Sequence, residues 1–282
     1  MNILLIHTGG TIGMAETAHG LAPKAGLVEA AMTARLSAEH SLVQHVFAPL
    51  IDSADIGPQH WNRMLDLIDA HPDAPVIITH GTDTMSFTGA ALAQALHGAA
   101  RRVVLCGSMK PLGFSGDAEG NLDLALKTAL TGPDRGVFLC FAGQVLPAEG
   151  LVKQHSSDLD AFQSIPQASL DLPQTRRFLP LDLAILTLSP AMSSTALTAI
   201  LEHLDGAVLR VFGAGTAMSD PKVLDAIKRA TAQGKRIRAV SQCMFGGLEP
   251  GTYAAGAPLW AAGVENGAAE TPEAALIHLW LS

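Results

Sequence analysis

Short runs of consecutive apolar residues alternate with segments of helical period along the whole chain, the pattern that parallel βαβ units produce. Residues 2–7, 46–51, 76–79, 103–106 and 137–141 are the buried-strand candidates of the first half. Between them Trp61, Met64, Leu65 and Ile68 recur at i, i+3, i+4 and i+7 just after Pro58, a residue suited to a first helical turn. Ala91, Leu92, Ala95 and Leu96 mark a second helix, and Leu122, Ala125, Leu126 and Ala129 a third. Residues 143–152, with Pro147 and Gly150, read as a hairpin or turn.

Residues 165–180 hold three prolines and no helical period. The alternation then resumes with strands at 183–188, 207–212 and 237–240 and helices at 194–204 and from Pro221 to near Gly234. Asp220 is the expected cap of the second of these, and Thr271-Pro272 opens a terminal helix. The pattern predicts an α/β protein: a larger, mostly parallel N-terminal sheet domain (1–164), a linker (165–182) and a smaller C-terminal α/β domain (183–282).

Composition narrows the class. Of 282 residues 48% are apolar and 16% charged, which excludes a disordered chain. A net charge of −8 with no basic run argues against nucleic acid or an anionic membrane as partner. No stretch approaches the roughly 18 apolar residues of a membrane helix, and the N-terminus has no signal-peptide pattern. The three cysteines, Cys106, Cys140 and Cys243, are too far apart for a disulfide framework or a metal knuckle, so a reduced, cytoplasmic protein is expected. Eleven scattered histidines form no HxxxH pair, so neither a metal nor an organic cofactor is expected.

Small polar residues collect in the loops after the predicted strands: Thr8-Gly9-Gly10-Thr11-Ile12-Gly13, Asp52-Ser53-Ala54-Asp55, His80-Gly81-Thr82-Asp83-Thr84 and Gly107-Ser108. In an open parallel sheet these loops converge on one crevice, where ligands bind. Glycines admit a ligand to backbone N–H groups, while hydroxyls and carboxylates supply a nucleophile and an amine-binding anion. Each motif alone has a plainer reading. Thr8–Thr11 matches neither nucleotide-binding fingerprint in full, Asp83 could cap a helix from Ser86 onward, and Thr82 could be a turn residue.

Taken together, Thr8-Gly-Gly-Thr-Ile-Gly-Met14 and His80-Gly-Thr-Asp-Thr-Met85 resemble the bacterial L-asparaginases, most closely their cytoplasmic type I branch. Ser115-Gly-Asp117 with Asn121, Lys153 with Asp160-Ala-Phe162, and Ser241-Gln-Cys-Met244 extend the resemblance over nearly the whole chain. It implies an amidohydrolase converting L-asparagine and water to L-aspartate and ammonia through a threonine acyl-enzyme, with L-glutamine as a second substrate. Thr11 matches the nucleophile; Thr82, Asp83 and Lys153 match the hydroxyl, carboxylate and ammonium on the opposite side of the substrate. Ser53 matches the residue holding the substrate α-carboxylate and Asp83 that accepting the α-ammonium, and Gly10, Asp52, Ala54, Gly81 and Ser108 complete the expected lining. Lys110, close after Ser108, is the rival of Lys153 and is read as a solvated charge. A homodimer or homotetramer is implied as well.

Two departures stand out. The family carries a tyrosine in the lid after the nucleophile, expected here within residues 13–26, but Gly20-Leu21-Ala22-Pro23 places Leu21 there, and the one tyrosine is Tyr253. A leucine neither accepts a proton nor hydrogen-bonds. Either the Thr82/Lys153 pair or a neighbouring subunit takes over the phenol's task, or the site binds an amino acid with little turnover, or the substrate is a related amide or ester. In the C-terminal half, Phe212-Gly-Ala-Gly-Thr-Ala217 lacks the asparagine that some members donate to a neighbouring subunit's site, and Glu249 is only loosely placed for the accompanying glutamate. Cys243 reads either as a buried small hydrophobe or as part of a regulatory asparagine site.

Overall fold

The strands and helices of a computed structural model, which describes residues 1–168 and 172–282, gather into two compact units. The first comprises Met1–Ser164 with Arg176–Phe178, the second Ile165–Thr175 with Leu179–Ser282. The described residues of the stretch expected as a linker hold no helix or strand; residues 169–171 of that stretch lie outside the described residues.

Chain order in the first unit is β1 (Asn2–His7), β2 (Met14–Thr17), β3 (Gly20–Pro23), α1 (Leu27–Thr33), β4 (Ser41–Val46), α2 (Pro58–Ala70), β5 (Val76–Thr79), α3 (Met85–Ala95), β6 (Arg102–Cys106), α4 (Ala118–Thr131), β7 (Gly136–Phe141), β8 (Gln144–Pro147), β9 (Leu151–Lys153) and β10 (Phe162–Ser164). The main sheet runs β4-β1-β5-β6-β7-β8, with every neighbouring pair parallel except β7 and β8. Ile3, Leu5, Ile77 and Val104 pack from the strands against Val28 and Met32 of α1 and Leu122, Ala125 and Leu126 of α4. Because β1, β4, β5 and β6 are parallel, the four loops rich in small polar residues leave one edge of the sheet.

Three local expectations are corrected. The second strand is Ser41–Val46, and residues 47–51 are irregular apart from single bonds, Phe47 N–H to the His7 carbonyl (2.9 Å) and Ile51 N–H to the Thr8 carbonyl (2.8 Å). Pro49 has no N–H to extend the ladder, and β4 lies at the sheet edge, where Ser41, Gln44 and His45 hide the strand signal. The segment expected as a loop lid is an antiparallel hairpin, with Glu16 opposite Leu21 and Thr17 opposite Gly20. Its turn is braced by the Thr17 hydroxyl, which donates to the Gly20 carbonyl at 2.7 Å. Residues 143–152, expected as a hairpin or turn, do turn at 149–150 between β8 and β9, but the hairpin lies earlier, where Ala142 (φ 49°) and Gly143 (φ 75°) form a two-residue left-handed turn joining β7 to β8.

The second unit contains β11 (Leu183–Thr187), α5 (Ser194–His203), β12 (Gly206–Val211), α6 (Pro221–Ala232), β13 (Arg236–Ser241), α7 (Ala257–Ala261), β14 (Glu265–Asn266) and α8 (Pro272–Leu281), with a parallel sheet in the order β11-β12-β13-β14. Three of its helices, α5, α6 and α8, begin with side-chain caps. Ser193, Asp220 and Thr271 each accept a backbone N–H of the first turn, from Ala196, Lys222 and Ala274 respectively. Leu197, Leu209, Val223, Ile227 and Leu259 meet in the core. Cys243 is exposed, which corrects its reading as a buried hydrophobe: it follows the end of β13, where its N–H donates to the Ser241 hydroxyl at 3.0 Å. Glu249 and Tyr253 are exposed too. Among the described residues no helix is long and apolar enough to cross a membrane.

Candidate active site

Thr11 opens a single 3-10 turn (Thr11–Gly13) directly after β1, and the preceding Gly10 has φ 92°, ψ 168°, a conformation that an L side chain rarely adopts. Space demands glycine as well, since a Cβ on Gly10 would lie 2.5 Å from the Gly81 nitrogen and 2.6 Å from its Cα. The loops after β1 and β5 therefore touch backbone to backbone. A Cβ on Gly81 would in turn sit 2.6 Å from the Ser53 hydroxyl, which brings the loop after β4 to the same point. Ser53 is buried, and its carbonyl accepts the Thr84 hydroxyl at 2.6 Å. Thr11 is half-buried, and its hydroxyl has no hydrogen-bond partner among the described residues.

Lys153 comes from the far side of the chain. β9 lies against α3, where Gly89 leaves room: a Cβ there would be 2.9 Å from the Ala148 carbonyl oxygen and 3.0 Å from the Leu151 side chain. The ammonium donates to Thr82 Oγ1 at 2.9 Å and to Asp83 Oδ1 at 2.6 Å. Its side chain is 16% exposed while that of Asp83 is 73% exposed, so the lysine is largely withdrawn from water and the carboxylate faces it. Asp83 is not a helix cap; α3 starts at Met85 behind Thr84, without any side-chain cap. The carboxylate is held by Lys153 instead. Lys110 is exposed and forms no ion pair among the described residues.

Other expected lining residues serve their own loops. Asp52 accepts the Ala54 N–H at 2.9 Å and so caps the short turn carrying Ser53, leaving Ala54 exposed at its start. Ser108 is fully buried, and its hydroxyl donates to the Lys110 carbonyl at 2.5 Å. Among the described residues no three His, Cys, Asp or Glu side chains are grouped to hold a metal ion.

Sequence reasoning missed the brace behind the Gly81-Thr82 loop. Fully buried His80 has Nδ1 2.7 Å from the Gly81 carbonyl and Nε2 2.9 Å from Thr88 Oγ1, which accepts the Trp61 indole N–H at 2.9 Å. The indole only donates and the carbonyl only accepts, which fixes one direction: Trp61 to Thr88, Thr88 to His80, and His80 Nδ1–H to Gly81. No local pattern marks such a chain; a histidine beside a glycine-rich loop, with a tryptophan on a neighbouring helix, is the nearest signal.

Burial pushes the His80 pKa down to about 4, opposed by its bond to the Gly81 carbonyl. His7, whose Nδ1 is 2.7 Å from Thr79 Oγ1, is lowered too by burial, opposed by Glu29. A histidine depressed in the fold takes up its proton first in the unfolded chain. Its stabilisation is therefore complete above pH 6.5 and is lost as pH falls toward 4. For His80 that amounts to about 3 kcal/mol. Urea unfolding between pH 7 and 4 should show stability falling with acid, and the slope should be shallower in His80→Gln. Equal slopes in the two proteins would remove His80 as its source.

Residues 2–177 match the family model for the N-terminal domain of asparaginase, and residues 182–282 match that for the glutaminase/asparaginase C-terminal domain. L-asparaginase 1 of Escherichia coli K12 is 30% identical over 99% of this chain and 90% of its own length. Among solved structures, the thermostable L-asparaginase from Thermococcus kodakarensis aligns with a TM-score of 0.86 at 28% identity. L-asparaginase I from Vibrio cholerae O1 biovar eltor does so with a TM-score of 0.86 at 30% identity. Each alignment covers 99% of this chain and 92% of the other.

Proposed function

The chain belongs to the asparaginase family, and from that premise we propose that it hydrolyses L-asparagine to L-aspartate and ammonia with Thr11 as nucleophile. It is an amidohydrolase of the asparaginase/glutaminase type. The observation carrying the reading of its site is the Lys153 ammonium bridging Thr82 and Asp83, two loop residues next to the Gly10–Gly81 contact that leads into Thr11. A site meant only for binding has no need of two hydroxyls and a withdrawn lysine together.

In the first half-reaction Thr11 Oγ attacks the side-chain carboxamide carbon, its proton passes to the departing nitrogen, and ammonia leaves an ester on Thr11. Backbone N–H groups of the glycine loops stabilise the oxyanion. Water then adds to the ester, the acyl–oxygen bond breaks, and the threonine hydroxyl and a carboxylate are released. Thr82 and Lys153 relay the protons, a task that in this chain cannot fall to a phenol at Leu21, which stands exposed on β3. Ser53 binds the substrate α-carboxylate and Asp83 its α-ammonium, with Gly10, Gly81 and the peptides near Ala54 and Ser108 as walls. Asp52 acts through Ser53 by capping its turn.

We propose further that the protein is cytoplasmic, in keeping with its free cysteines, and that it works as a dimer or tetramer, as the family resemblance implies. One experiment tests these points together. Protein whose sedimentation is measured at micromolar concentration is given L-asparagine or L-glutamine, and ammonia is followed. Release from L-asparagine is expected of an assembly of two or four copies, with L-glutamine as the comparison substrate. No ammonia above buffer from either amide would end the enzyme reading, and a pure monomer would remove the assembly.

A further inference from the structure

Asp117 stands immediately before α4, where an aspartate ordinarily caps the first turn, yet its carboxylate makes no such bond. It turns back instead onto the loop after β6. Oδ2 accepts the Met109 N–H at 2.8 Å and Oδ1 accepts the Lys110 N–H at 3.0 Å. The Asn121 amide, one helical turn on, donates to Asp117 Oδ2 at 3.1 Å and to the Gly107 carbonyl at 2.9 Å, while its own oxygen accepts the Ala142 N–H at 3.0 Å. The group is buried: Asp117 is 9% exposed and Asn121 2%. A local preference given up by a buried charge points to a role outside the helix.

The loop held in this way touches both sides of the cleft. Toward β5, the His80 N–H donates to the Cys106 carbonyl at 2.9 Å, and a Cβ on Gly107 would lie 2.6 Å from the His80 carbonyl oxygen. Toward β1, the Leu112 N–H donates to the carbonyl of Ile12, the residue after Thr11, at 3.3 Å. Between these ties lies Ser108, folded onto the Lys110 carbonyl. We propose that Asp117 is a positioning residue of amide hydrolysis. It holds Gly107–Lys110 as a wall of the substrate site and, through Leu112, steadies the turn that presents Thr11. The inference rests on the amidohydrolase reading above and extends it to a residue that touches neither substrate nor Thr11.

Asp117→Asn tests this with volume preserved, because the amide leaves one of the two backbone donors facing an NH2 group. With L-asparagine, KM should rise about tenfold and kcat/KM fall roughly 10- to 100-fold, the scale expected of a small misplacement near reacting groups. Asp134→Ala removes a carboxylate that is fully exposed beyond the end of α4, where it pairs with Arg102, and should leave both constants unchanged. Asn121→Ala keeps Asp117 but removes its brace together with the bonds to Gly107 and Ala142, so KM should shift in the same direction by about threefold; it serves as the readout if Asp117→Asn does not fold. Constants are taken per folded molecule, well below each variant's melting temperature. A lower melting temperature with KM and kcat unchanged would make the role purely structural and overturn the proposal. If the wild type releases no ammonia, the amidohydrolase reading fails instead; the thermal shift given by L-aspartate then compares the two proteins, and an equal shift in Asp117→Asn would overturn the wall-forming role too.

Discussion

Thr11→Ala is expected to lower ammonia release from L-asparagine by about 10⁴-fold, since the acyl-enzyme proposed for Thr11 cannot form without its hydroxyl. The Thr11 hydroxyl has no protein partner among the described residues, and the backbone around it is set by Gly10 and by the Leu112 to Ile12 bond, neither of which the substitution disturbs. Folding should be nearly unaffected, with a melting temperature close to that of the wild type. A chemical signature goes with the rate. Hydroxylamine supplied with L-asparagine should intercept the ester and form the hydroxamate with the wild type and not with Thr11→Ala. A variant retaining more than a tenth of the wild-type rate would assign the nucleophile elsewhere, with Thr82 the first alternative.

Lys153→Met is expected to reduce kcat/KM by roughly 10³-fold, within the range for loss of a positioned proton-transfer group. The side chain keeps its apolar length but no longer donates to Thr82 Oγ1 or Asp83 Oδ1. Asp83 stays well exposed, so water can replace the ammonium and the cost in stability should be small. Lys153→Arg should recover little, because a planar guanidinium does not reproduce a compact ammonium between two acceptors. Should Lys153→Met instead keep kcat and change only KM, the lysine would serve in binding alone, and proton transfer would need another group opposite Thr11. Glu16, the cross-strand neighbour of Leu21, would be the next residue to replace.

Legibility in the sequence followed burial. β1, β5, β6 and β7 sit inside the sheet, where both faces are covered, and their unbroken apolar runs announce them. β4 at the edge is only partly buried, so its polar residues concealed it and the strand was expected five residues too late. The β2–β3 hairpin rests on its turn and on pairing between largely exposed residues, and α1 behind Gly26 is only seven residues long; neither carries a period long enough to read. Asp83 and Asp117 show the limit for single residues. Both precede helices, where cap chemistry is the local expectation, yet neither carboxylate caps a first turn: Asp83 is held by Lys153, and Asp117 accepts the Met109 and Lys110 N–H groups.

By itself the sequence determined the order of the buried strands and the longer helices, the two Thr-Gly motifs, the lack of a phenol at Leu21 and, through them, the family. These are properties of residues close together in the chain, where periodicity and turn chemistry act. Only the tertiary structure decided that Lys153 rather than Lys110 reaches Thr82 and Asp83, that Gly10 lies on Gly81, and that His80 and Asp117 brace the loops from behind. Lys153 and Asp83 are 70 residues apart, and hydrogen bonds of that kind have no trace in local spacing. They form where sheet order and helix packing bring loop ends within about 3 Å of one another.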